Sequence, residues 1–161
     1  MSPILLKMID REQIVQLVGE KLEEDMFLVD VTVNPMNVIH VEVDSFSGLT
    51  IDQCVTISRH IEGNFDRETE DFALEVSSPG ADQPFKVPQQ YSKNTGREVE
   101  VMKQDGAILK GILTSSDTEG IILKASVKEK QEGSNRKILV EKVIPLSYRD
   151  IKKTRVIISF K

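Results

Sequence analysis

Apolar side chains recur along this chain at two different rhythms, and the change from one to the other divides it. In residues 10–24, Ile14, Leu17, Val18 and Leu22 fall at helical spacing. Asp10 is placed as an N-cap with Gln13 at the third helical position, the spacing of a capping box, and Ile9 and Ile14 take the two places of a hydrophobic staple. Residues 27–33 alternate instead: Phe27, Val29, Val31 and Val33 are expected on one face, Leu28, Asp30 and Thr32 on the other. NPMN at 34–37 is a turn, after which Ile39, Val41 and Val43 alternate with His40, Glu42 and Asp44. That pattern predicts a β-hairpin with one apolar and one polar face. A second helix is predicted after Gly48, where Thr50 and Gln53 repeat the capping spacing and Ile51, Cys54, Val55, Ser58, Ile61 and Phe65 share its buried side. Phe72, Leu74 and Val76 pointing inward, against Asp71, Glu75 and Ser77, make a third strand. The order is αββαβ, two amphipathic helices covering one side of a three-stranded sheet.

After Pro88 the rhythm tightens. A short helix is predicted over 88–95, with proline in its first turn and Gly96 as its stop. Apolar runs follow at 99–102, 108–113, 121–123, 138–144 and 156–160, separated by QDG, SSDTEG and GSN. Five short strands in about 65 residues predict a small closed barrel. The polar run KEKQEGSNRK at 128–137 is expected to be a flexible loop. The predicted fold is therefore α+β in two domains, residues 1–86 and residues 87–161.

Composition adds limits. With 161 residues, 39% apolar and 29% charged, the chain has the make-up of a globular protein and not of a disordered one. No apolar run approaches the roughly 18 residues that span a membrane, and MSPILLKMID lacks the features of a secretion signal. A single cysteine, Cys54, allows no internal disulfide and fits a reducing, cytoplasmic setting. The net charge of −5 conceals a division: residues 1–86 carry −11 and residues 87–161 carry +6. Opposite signs on the two halves predict two surfaces with different partners. On the first, Asp30, Glu42, Asp44 and Glu75 are candidates to meet a basic protein. On the second, Lys103, Lys110, Lys124, Arg136, Lys137, Lys152, Lys153 and Arg155 are candidates to meet RNA.

Candidate catalysis is thin. Ser77 and Ser78 in EVSSPGADQPF could act as nucleophiles only with a base, and His40 is the histidine placed to approach Ser77. No GxSxG elbow surrounds them. His40 otherwise reads as a strand residue, His60 as a helix-surface residue and Cys54 as a small core residue. Zinc spacings, EF-hand and HExxH patterns, P-loops, GxGxxG and the GXXG of a KH module are missing from the sequence. No cofactor or metal is expected. The polar face of the first sheet is expected to offer carboxylates and no aromatic, which disfavours RNA there.

The same stretch reads better as a joint. Pro79-Gly80 suits the centre of a type II turn, where glycine supplies a positive φ. Ser78 and Gln83 each precede a proline and are biased to extended backbone. Ser77, Ser78, Pro79, Gly80, Asp82 and Pro84 then form a short stiff connector, unlike the longer glycine- and serine-rich stretches of flexible linkers.

LEVSSPGADQP at 74–84 resembles the signature of the bacterial ribosome maturation factor P (RimP) family. FLVDVTV at 27–33, GLTIDQCVTISRHIEG at 48–63, TGREVEV at 95–101 and IPLSYRDIKKTRVIISF at 144–160 are similar to other segments of that family. Two departures stand out: Gln83 replaces the family's arginine, and the 128–137 loop is longer than usual. The resemblance implies an α/β domain joined to an SH3-like barrel, and no catalysis. It implies binding to the free small (30S) ribosomal subunit, helping ribosomal RNA fold and ribosomal proteins enter, without a cofactor. A monomer in the cytoplasm, with no membrane or small-molecule partner, is expected. The alternatives are a free RNA chaperone or translational regulator using the basic barrel, and a small serine hydrolase.

Overall fold

The structure, a computed structural model, describes residues 9–68, 71–130, 132–133 and 135–158. The first eight residues of the MSPILLKMID segment, and Ser159 and Phe160 of the last apolar run, lie outside them. Two compact units divide between Pro79 and Gly80, inside the SSPG stretch.

In the first unit, helix α1 (Arg11–Gly19) starts at Asp10, whose carboxylate accepts from the Glu12 N–H. The cap therefore works one residue earlier than the expected bond to Gln13, and the helix stops at Gly19, short of residue 24. Ile9 and Ile14 are both buried in one cluster, as a staple requires. Strands β1 (Met26–Val33) and β2 (Val38–Ser45) pair antiparallel, and β3 (Ala73–Ser77) joins β2 in parallel after helix α2 (Ile51–Glu62). The sheet is mixed, in the order β1-β2-β3. The α2 capping box is complete: Thr50 Oγ1 accepts from Gln53 N–H, and Gln53 Oε1 accepts from Thr50 N–H.

Two expectations for this core are corrected. A bulge between Leu28 and Asp30 shifts the β1 register, so Leu28 faces Val43 while Asp30 faces Glu42. Because strand side chains alternate, the extra residue moves Met26 and Leu28 to the helix-covered face and turns Phe27, opposite Asp44, to the other side. Phe27 there packs on Phe46, with ring centroids 5.0 Å apart. On α2 the buried stripe runs through Ile57 and Ile61, with Phe65 beyond, while Ile51 is 82% exposed and Val55 is exposed.

Asn37, in the hairpin turn, adopts φ 56°, a left-handed conformation that asparagine tolerates better than most residues. Its buried side chain accepts from Ile9 N–H (3.1 Å) and donates to Asp71 O (3.4 Å), tying the turn to the starts of α1 and β3.

In the second unit, helix α3 (Pro88–Lys93) precedes β4 (Glu98–Lys103), β5 (Ile108–Ser116), β6 (Gly120–Lys130) and β7 (Lys137–Ser147). A 3-10 turn at Tyr148–Asp150 leads into β8 (Ile151–Val156), which returns to pair with β4. The order is β7-β6-β5-β4-β8. Among the described residues β7 and β8 do not pair, so the sheet is not a closed barrel. It is nevertheless curled, since Leu146 near one edge and Ile151 at the other share a cluster with Val99, Val101, Leu113 and Leu123. The last strand lies over 151–156 and not over the expected apolar run. The expected loop at 128–137 is also corrected: residues 128–130 and 137 belong to strands. β6 and β7 run in unbroken register from Gly120↔Ser147 to Lys130↔Lys137.

Candidate functional site

Alternation and the bulge together gather carboxylates on the face of the first sheet away from its helices. Asp30 stands opposite Glu42, and Asp44 opposite Phe27. In the parallel pair, Glu75 stands beside His40 and Ser77 beside Glu42. Glu42 is only 9% exposed because it occupies the central strand between those neighbours, whereas Asp30 and Asp44 are half-buried and Glu75 is exposed. Backbone amides hold two of the acids in place: Val31 N–H donates to Asp30 and Ser45 N–H to Asp44, each at 2.9 Å. Arg11 reaches the edge of the group, its Nε donating to Val31 O at 2.8 Å and an Nη lying 3.9 Å from Asp30. The expectation that no aromatic occupies this face is overturned by Phe27, which the bulge places there.

An acid that the sequence reading passed over sits where β2 ends. Asp25 accepts hydrogen bonds from the hydroxyls of Ser47 and, at 2.9 Å, of Ser45. These bonds, Ser47's foremost, hold its carboxyl below the usual aspartate value. The one available signal was the serine pair two residues apart at the end of a predicted strand.

His40 Nε2 and Ser77 Oγ are 3.0 Å apart. The parallel pairing of β2 with β3 brings them together, as the hydrolase alternative needs. Among the described residues, no carboxylate hydrogen-bonds the His40 ring to orient it as a base. Nor do any three acidic, histidine or cysteine side chains among them cluster to hold a metal. Burial raises the Cys54 thiol above its ordinary value, so it is a poor thiolate.

The connector residues lie across the unit boundary. Ser77 ends β3; Ser78 is exposed, and Pro79 is the last residue of the first unit. Gly80 does not adopt a positive φ, which corrects the type II turn expected at Pro79-Gly80. The turn is two residues later, closed by Gln83 N–H to Gly80 O at 3.1 Å, with Ala81 and Asp82 at its centre. Gly80 opens that turn, and a Cβ there would meet Gln83 Cγ at 3.1 Å. Past Pro84, Phe85 N–H donates to Thr154 O at 2.7 Å, and its ring stands edge-on to Tyr91 at 4.9 Å. Asp82 lines an open depression with Glu100, Lys110 and Arg155.

The candidate cations of the second unit divide into two groups. Lys110 (3.9 Å) and Arg155 (3.3 Å) flank Glu100, Lys103 is 3.9 Å from Asp105, and Lys124 is 3.2 Å from Glu141. Lys137, Lys152 and Lys153 are exposed, with no ion-pair partner among the described residues, and Arg136 lies in the β6–β7 turn. Lys128 and Lys130 are also exposed and lack a carboxylate partner among those residues. No helix among the described residues is long and apolar enough to cross a membrane.

Comparison with known proteins adds a lineage. The profile of the RimP N-terminal domain matches residues 9–82. The chain is 36% identical over 152 residues to the ribosome maturation factor RimP of Christiangramia forsetii, covering 93% of this chain and 99% of that one. It is 41% identical over 146 residues to its counterpart from Porphyromonas gingivalis, covering 90% and 96%. With that of Flavobacterium psychrophilum it shares 34% over 152 residues, covering 93% and 98%.

Proposed function

The chain belongs to the ribosome maturation factor RimP family, and from that premise we propose that it is a non-catalytic assembly factor for the small (30S) ribosomal subunit. It acts in the cytoplasm, as a monomer and without a cofactor, assisting ribosomal RNA folding and ribosomal protein entry. The observation that carries this reading is the segregation of charge. Carboxylates at Asp30, Glu42, Asp44 and Glu75 share one sheet face of the first unit, while exposed lysines accumulate on the strands of the second. A subunit under assembly offers both complements, phosphates and basic protein segments.

In this reading Asp30, Glu42, Asp44 and Glu75 receive a basic ribosomal protein. Lys103, Lys110, Lys124, Arg136, Lys137, Lys152, Lys153 and Arg155 approach ribosomal RNA. Ser77, Ser78, Pro79, Gly80, Asp82 and Pro84 connect the domains, which comprise residues 1–86 and 87–161. In this reading the five-stranded sheet, open between β7 and β8 among the described residues, is SH3-like in topology, a view supported by four meandering strands, a 3-10 turn and a fifth strand returning to the first.

Sedimentation of cell extracts tests the assignment. The protein travels with free small subunits and is absent from translating ribosomes; migration with neither fraction ends the reading. A free RNA chaperone or translational regulator is the second reading, favoured by Lys128, Lys130 and Lys137 of β6 and β7, which have no carboxylate partner among the described residues. It requires tight filter binding to naked RNA without ribosomal proteins. Labelling of Ser77 by an active-site serine probe would instead revive the His40–Ser77 pair as chemistry.

A further inference from the structure

The third strand that supports β6 ends early. β5 pairs with β6 only as far as Lys124, yet β6 continues to Lys130, paired with β7 alone. Residues 125–130 and 137–142 therefore form a two-stranded ribbon extending beyond the sheet, about 20 Å long at strand rise.

Its two faces differ in charge. One carries Ala125, Val127 and Glu129 against Lys142, Val140 and Ile138, and its two charged groups, Glu129 and Lys142, pair with each other. The other carries Ser126, Lys128 and Lys130 against Glu141, Leu139 and Lys137. Glu141 is taken up by Lys124. Lys128, Lys130 and Lys137 have no carboxylate partner among the described residues. Lys130 and Lys137 are directly opposed across the strands, an arrangement that repels in the free protein and that a bound anion relieves. Leu139 is 69% exposed beside Lys128, and Val143, further back on the same face, is 67% exposed.

We propose that this lysine-bearing face is a binding element for double-stranded RNA, laid along the phosphate rims of a shallow groove with Leu139 against the sugars. The proposal rests on the assembly-factor reading and names the kind of RNA met. Charge selects the class of partner, since several fixed cations with no carboxylates of their own fit a polyphosphate. Residue type selects the duplex. The ribbon segment ASVKEKQEGSNRKILVEK contains no aromatic residue, so it has no platform for stacking the bases of single strands. A broad, shallow A-form minor groove, read through phosphates and 2′-hydroxyls, suits a two-stranded ribbon instead.

The test is fluorescence anisotropy with the full chain, using a blunt RNA duplex of about two helical turns and a poly-U strand of equal length, over a salt series. Wild type is expected to prefer the duplex. The triple variant Lys128→Ala, Lys130→Ala, Lys137→Ala is expected to bind it about tenfold or more weakly, with a salt slope lower by about 2 to 3. Its thermal midpoint should be unchanged or raised, because a like-charge pair has been removed. Unchanged duplex affinity in the triple variant, or a wild-type preference for poly-U, overturns the proposal. Co-sedimentation with small subunits separates this from the broader reading. If wild type sediments with subunits while the triple variant keeps its duplex affinity, the ribbon proposal alone falls. If duplex binding depends on the three lysines but wild type ignores subunits, the assembly reading alone falls.

Discussion

Asp30 and Glu42 face each other across β1 and β2, two carboxylates in one cross-strand pair on the face that the helices leave uncovered. Like charges in that position oppose pairing of the strands, so a function is the natural reason to keep them. Replacing Asp30 and Asp44 with asparagine preserves their bonds to the Val31 and Ser45 amides while removing charge. The double variant should fold with an unchanged or higher thermal midpoint. It should bind basic ribosomal proteins of the small subunit about tenfold more weakly at low salt, and the gap should narrow as salt rises. Titration calorimetry at two ionic strengths measures both; equal affinity at low salt would remove this face from the partner surface.

Lys152 and Lys153 provide the corresponding test on the second unit. Both are exposed on β8, and neither has an ion-pair partner among the described residues. Reversing both to glutamate should weaken binding to small subunits and flatten its dependence on salt by about 2 in logarithmic slope. An unchanged slope places the RNA contact elsewhere.

Gly120 and Gly80 should behave oppositely on substitution by alanine. A Cβ on Gly120 would lie 2.0 Å from the Leu146 carbonyl oxygen, backbone that cannot yield without disturbing the β6–β7 register. The close contact at Gly80 is the middle of the Gln83 side chain at 3.1 Å, which can rotate away. Urea unfolding should show Gly120→Ala destabilised by about 1–3 kcal/mol or more and Gly80→Ala by less than about 1 kcal/mol.

Tyr91 ties α3 to the end of the chain. Its hydroxyl donates to Thr154 Oγ1 at 2.7 Å, both groups buried. Thr154→Val keeps the shape but removes the acceptor, at a cost of about 1–3 kcal/mol. Burial foremost, and to a smaller degree the nearby Tyr148, raises the Tyr91 pKa, against the hydrogen bond that the Thr154 hydroxyl can donate to the phenolate. Folding thus favours the protonated phenol. That contribution is complete below the unfolded value of about 10 and is lost as pH climbs through the higher folded value. Unfolding midpoints at about pH 8 and about pH 11 should lie closer together in Tyr91→Phe than in the wild type, and Tyr148, raised in the same direction, contributes to what separation is left.

Much of this architecture was legible in the chain because it depends on local rules. The Thr50–Gln53 box, the Ile9–Ile14 staple and the alternation of β2 follow from spacing alone. The failures share a different cause. The β1 bulge is a property of two paired strands, so FLVDVTV by itself could not reveal that Phe27 and Leu28 exchange faces. Strand β8 was hidden because IKKTRV buries only Ile151 and Thr154, and its partner β4 lies some fifty residues away. The polar stretch after Val127 has the composition of a loop, since hydrophilic side chains signal turns, yet a ribbon exposed on both faces is free to be polar. Gly80 misled because Pro-Gly has a strong turn preference that the bond from Gln83 overrides.

The unbroken pairing from Gly120 to Lys130 also constrains how this protein can diverge. Each residue added to both strands of the hairpin carries its tip about 3.3 Å further and swaps which side the tip residues occupy. Lineages that lengthen or shorten the hairpin can keep their cations on one surface only in steps of two residues per strand, or by compensating with a bulge. Kinship among these proteins should therefore leave a parity signature in the lengths of their insertions.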